Sequence, residues 1–171
     1  MKNRMLKSIK QWAGILTAII SYYIVHEGTH LLLALLFGVF ERVRFVGIWG
    51  IQIVINDRGL EGISMALFSG LSSIVTILIG YILAFSPYVC KLKSRSILIS
   101  LYYITLCFMI LDPIYISVLS LFVGGGGDLN GITFGLQTSD IPFRIIFGSI
   151  AILNIILFYK RVSKQYKIIF N

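Results

Sequence analysis

The chain has 171 residues, 57% of them hydrophobic and only 13% charged, with a mean hydropathy of +0.91. No ordinary water-soluble domain of this length has such a composition, so the solvent it is built for is lipid. The formal net charge of +8 does not point to nucleic acid either, because eleven of the fifteen Lys and Arg residues fall in three clusters that flank apolar stretches.

Lys2, Arg4, Lys7 and Lys10 precede an apolar run at about 12–39. A signal peptide starts in the same way, but no small-residue cleavage site precedes His26, and the run continues to Phe40, so a membrane span is expected. Further spans are expected at about 63–89, 97–123 and 141–158, the last being the shortest. The other two basic clusters are Lys91, Lys93 and Arg95, then Lys160, Arg161, Lys164 and Lys167. Placed in the cytoplasm, the clusters put both termini inside, leave the inner segments free of acidic residues, and put loops 40–62 and 124–140 outside. The expected fold is an all-α polytopic membrane protein of about four transmembrane helices, residues 1–171 forming one membrane-embedded domain, with the plasma membrane as its location.

Two features break the helical pattern. In the first outer loop Val43, Phe45, Ile51, Ile53 and Ile55 alternate with Arg44, Gln52 and Asn56 around Gly47 and Gly50, which predicts a short β-hairpin at the outer membrane edge. It reads either as an interfacial loop anchored by Trp49 or as an edge strand on which an extended peptide pairs. Gly124 to Gly127 form the second feature, a Gly-rich loop able to re-enter the membrane.

The chain has two histidines, His26 and His30, and Glu27 follows the first to give HEGTH. On a helix, positions i and i+4 share a face, so both imidazoles reach one zinc ion while Glu27 stands beside it as general base. All three lie near the middle of a span, where an ionisable side chain costs at least ~2.5 kcal/mol and normally has a functional reason. A catalytic zinc usually takes three protein ligands. Asp112, midway along the third span, and Asp128, after the glycine run, are the candidates for the third; depth alone favours Asp112.

These residues resemble the site-2-protease class of intramembrane zinc metalloproteases. There the motif is followed by alanine and glycine at four-residue steps, matched by Ala34 and Gly38. The family's membrane-edge hairpin is similar to the stretch from Val43 to Ile55, and a small-residue motif in its next helix is similar to Phe68, Ser69, Gly70 and Leu71. The resemblance implies that Asp128, before Asn130 and Gly131, is the third zinc ligand, and that Asp112 with Pro113 is an upstream polar position. Thr29 stands where the family has a glycine, no proline follows Gly70, and neither aspartate is followed by glycine. The function so implied is hydrolysis of peptide bonds in membrane-protein substrates. Two other readings use the same residues: a non-catalytic regulatory or immunity protein that retains the metal, and a metal-ion transporter with His26, His30, Glu27, Asp112 and Asp128 as pathway ligands. Oligomeric state is not readable from the sequence.

Overall fold

The computed structural model describes residues 2–47, 50–56, 59–122 and 127–166, without the side chains of residues 2–7 and 90. Trp49 and Gly124, Gly125 and Gly126 of the glycine run lie outside the described residues. The helices are α1 (Lys2–Leu36), α2 (Gly62–Phe85), α3 (Arg95–Ser117), α4 (Gly127–Leu136) and α5 (Ile141–Leu157). Among the described residues, four stretches are long and apolar enough to cross a bilayer: Ser8–Leu36, Gly62–Phe85, Arg95–Leu121 and Ile141–Gln165. The protein is a four-span helical membrane protein with a short hairpin. In the bundle α1 packs on α2 and α3, α2 on α3 and α4, and α3 on α5.

Apolar character continues past the end of α1, but the helix stops at Leu36, three residues short of the expected boundary. Gly38 adopts φ +69°, a left-handed conformation that a residue with a Cβ resists. Its N–H bonds the Leu35 carbonyl at 3.1 Å and the next N–H, of Val39, bonds the Ala34 carbonyl at 2.9 Å. This is a Schellman-type cap, with Val39 and Ala34 both buried as its apolar contact. The cap turns the chain into β1 (Phe40–Val46), which pairs antiparallel with β2 (Gly50–Ile55) in the register Val43↔Ile53 and Phe45↔Ile51. Alternation then puts Val43, Phe45, Ile51 and Ile53 on one face. Ile53 and Ile55 bury against Leu33, Ala34 and Phe68, which fixes the hairpin to α1 and α2.

Pro113 lies inside α3 and lacks the N–H that would bond the Met109 carbonyl one turn back. Asn154 of α5 supplies the missing donor, its Nδ2 lying 2.6 Å from that oxygen, and the Tyr81 hydroxyl of α2 donates to Asn154 Oδ1 at 2.6 Å. A helix break that would cost several kcal/mol in lipid becomes a three-helix joint. Arg144 makes a second joint, donating from Nε to Asp140 at 2.5 Å and from Nη1 to Ser120 Oγ at 2.8 Å and the Ile116 carbonyl at 3.3 Å. The guanidinium holds the Asp140 carboxyl below its ordinary range.

Two expectations need correction. The fourth span does not end at Phe158: helical backbone runs on through a π-turn at Phe158–Val162 to Gln165. Lys160, Arg161 and Lys164 end the apolar run there, but Lys and Arg are good helix formers. The chain after the glycine run is not simply a loop, because Gly127–Leu136 is the helix α4.

Candidate metal centre

Tyr22, His26 and His30 follow one another at four-residue steps on α1 and so form one column on the helix face turned into the bundle. Tyr22 stacks on His26 with ring centroids 5.1 Å apart, His26 meets His30 edge-on at 5.1 Å, and His30 packs on Phe68 of α2 at 5.0 Å. Both imidazoles are buried, each 6% exposed, so their rotamers are set by packing and not by water.

Asp128 opens α4 and reaches both of them. Its Oδ2 lies 3.2 Å from His26 Nε2 and its Oδ1 3.3 Å from His30 Nε2. One ligand atom from each of the three side chains lies within 4.8 Å of the others. The chain therefore folds back after α3 until α4 begins against the C-terminal third of α1.

Glycine makes that approach possible. A Cβ on Gly131 would fall 1.8 Å from Ser69 Oγ, and one on Gly135 would fall 2.5 Å from the Gly62 carbonyl oxygen and 2.6 Å from the Ala66 nitrogen. Positions 128, 131 and 135 share one helical face, so the face that docks α4 on α2 is the face that carries the carboxylate. Phe68, Ser69 and Gly70 thus lie at this junction: Phe68 against His30, Ser69 against Gly131, and Gly70 beneath Ile132. Gly135→Val is expected to lift α4 from α2 and weaken divalent-metal binding by about 10-fold or more, as losing the support of a ligand does elsewhere. Metal titration of the purified variant checks this, with circular dichroism to confirm that the helices remain.

Asp112 lies level with His26, as its place in the third span predicts, but it meets the other ring nitrogen. It is 1% exposed, accepts hydrogen bonds from the hydroxyls of Tyr22 on α1 and Thr76 on α2, and sits with Oδ1 3.4 Å from His26 Nδ1. That last separation is longer than a settled hydrogen bond. A carboxylate behind an imidazole is the usual arrangement for holding a ligand ring with its opposite nitrogen toward a metal. Of the neighbours named in the family motif, Asn130 faces outward and Pro113 serves the α3–α5 joint.

Glu27 follows His26 at about 100° around the helix. It lines a groove of about 360 Å³ between α1 and the hairpin face, walled by Ile20, Tyr23, Ile24, Leu31, Val43, Ile51 and Ile53 and floored at Gly28. A larger open depression of about 900 Å³, lined by Glu61, Thr133, Gln137 and Ser139 among others, includes none of the cluster residues.

Two imidazole nitrogens and a carboxylate oxygen form a donor set capable of coordinating a divalent metal. Charge agrees with this, since a dication balances the two carboxylates, Asp128 and Asp112, that the fold sets around His26 in a region of low dielectric. Tyr22 and Thr76 escaped sequence reading. Tyr22 sits one turn before His26 on the same face, which is a signal for it; Thr76 has none. Comparison with protein-family models, curated proteins and solved structures finds no match.

Proposed function

We propose that residues 1–171 act as one intramembrane zinc metalloprotease that hydrolyses peptide bonds of membrane-protein substrates, with His26, His30 and Asp128 as zinc ligands and Glu27 as general base. The observation that carries this reading is the convergence of both Nε2 atoms on the Asp128 carboxylate, at 3.2 and 3.3 Å, with Glu27 next in sequence to His26. With these separations, and with one ligand atom of each side chain within 4.8 Å of the others, His26, His30 and Asp128 would hold a divalent ion such as zinc. The assignment is also the one implied by the similarity of HEGTH and Asp128 to the site-2-protease class.

When bound, zinc supplies Lewis-acid polarisation of the carbonyl and lowers the pKa of a water at the site. The Glu27 carboxylate takes a proton from the attacking water and returns it to the departing amide nitrogen. The balance is one water consumed: a carbon–oxygen bond forms, the carbon–nitrogen bond breaks, and a carboxyl and an amine result. The Asp112 carboxylate stands behind the ring, 3.4 Å from His26 Nδ1, and would orient Nε2 toward the other ligands. The apolar groove at Glu27 supports a substrate arriving from the lipid.

The test is cleavage of single-span reporters by the purified protein in reconstituted bilayers. Cleavage is expected to stop when a chelator removes the metal and to return with added zinc. Cleavage that persists without metal would rule out the reading.

Both termini are proposed to lie in the cytoplasm of a plasma-membrane protein, from the eleven basic residues on that side and its lack of acidic ones. Cysteines placed at Met5 and Gln165 should resist an impermeant thiol reagent added to intact cells and react after lysis. Ready labelling of both in intact cells would invert the orientation.

A further inference from the structure

Glycine in a helix interior costs about 0.5–1 kcal/mol relative to alanine, so a mid-span glycine normally has a packing reason. Gly14 of α1 has one, because a Cβ there would fall 2.8 Å from Ile99 Cγ2. Gly28 has none: a Cβ would meet nothing within 4 Å. It lies next to Glu27, and the space that its side chain would enter is the groove between α1 and the hairpin.

We propose that Gly28 is a specificity-determining position, its bare backbone forming the floor over which the extended, uncharged segment around the scissile bond passes to reach Glu27. The inference rests on the protease reading and adds the part of the substrate that the groove accepts. Three observations select a peptide backbone as occupant. The groove is continuous with the proposed general base. One wall is the face of the hairpin, where Val43, Ile51 and Ile53 present side chains at the two-residue spacing of an extended chain. The floor lacks the side chain that would best serve a lipid tail, since leucine at 28 would add apolar contact for an acyl chain but obstruct a backbone that must come close.

Charge narrows the class further. Among the described residues that line the groove, Glu27 is the only carboxylate and none is a cation, the other walls being apolar apart from the Tyr23 hydroxyl. An acidic residue beside the scissile bond would be desolvated next to the Glu27 carboxylate, a like charge, whereas an aliphatic or small residue fits.

The test uses two reconstituted single-span reporters with leucine or glycine flanking the cleaved bond, and the Gly28→Ala and Gly28→Leu proteins. Both variants should retain the wild-type zinc content, because position 28 does not face the ligands. Gly28→Ala should lower kcat/KM on the leucine reporter by about 10-fold and Gly28→Leu by about 100-fold or more, with smaller losses on the glycine reporter. Equal cleavage of the leucine reporter by wild type and a zinc-loaded Gly28→Leu protein would overturn the proposal.

Binding is read separately in a Glu27→Gln background, by disulfide trapping between a cysteine at Ile24 on the groove wall and one at the centre of the leucine reporter. Trapping that Gly28→Leu abolishes supports the groove even if the wild type cleaves neither reporter, in which case only the protease reading fails. Trapping that is absent throughout, or indifferent to Gly28→Leu, overturns the groove assignment.

Discussion

Glutamine at position 27 is expected to leave zinc in place and to lower the cleavage rate by about 10²- to 10⁴-fold, the range a positioned general base contributes. The substitution keeps the size and shape of the side chain, and Glu27 points about 100° away from the His26 direction, so it removes no ligand. What it removes is the ability to take a proton from water in a groove whose described walls offer no substitute carboxylate. Zinc content and turnover measured on one preparation separate the outcomes. Loss of zinc together with activity would make Glu27 a ligand. Turnover at the wild-type rate with zinc retained would contradict its role as base, and absence of turnover in both proteins would favour the non-catalytic reading.

Asp128→Ala and Asp112→Asn should differ in kind. The first removes a carboxylate that touches both imidazoles, at 3.2 and 3.3 Å, so metal and cleavage should disappear together. The second keeps shape and one acceptor oxygen behind His26 and should lower metal affinity by no more than about 10- to 100-fold, with slower turnover. An amide oxygen still accepts from one hydroxyl, but its NH₂ group cannot accept from the other, so the clasp between α1 and α2 through Tyr22 and Thr76 is weakened. Asp112→Leu should do worse, because it also takes the acceptor from the Tyr22 hydroxyl and leaves Thr76 only the Ser73 carbonyl. The reverse pattern, zinc lost in Asp112→Asn and kept in Asp128→Ala, would move the third ligand to α3.

How far the sequence carries this account depends on the length scale of each signal. HEGTH is legible because its spacing is one helical turn and the two histidines are the only ones in the chain. The hairpin is legible because Val43, Phe45, Ile51, Ile53 and Ile55 alternate with period two. The spans are legible from hydropathy, but their ends are not. Gly38 stops α1 while the chain is still apolar, and Lys160, Arg161 and Lys164 extend the fourth helix after apolarity has ended.

Asp128 and Asp112 show where local reading runs out. Depth along straight spans places Asp112 level with His26, and the structure agrees, but depth says nothing about which imidazole nitrogen a carboxylate meets. Asp128 comes to the histidines because α4 docks through Gly131 and Gly135 onto Ser69, Ala66 and Gly62, a fit between two helices that neither segment announces alone. A ten-residue helix with three glycines and a threonine also has weak intrinsic helicity, so tertiary packing decides its form.

The most direct test of the metal centre is the zinc content of the purified chain, measured together with protein concentration, in the wild type and in the His26→Ala plus His30→Ala variant after equal exposure to zinc. One zinc per chain in the wild type and almost none in the double variant is the predicted result, since no other histidine is available to replace those two. A wild-type protein that takes up no zinc, or a double variant that takes up as much, would contradict the account.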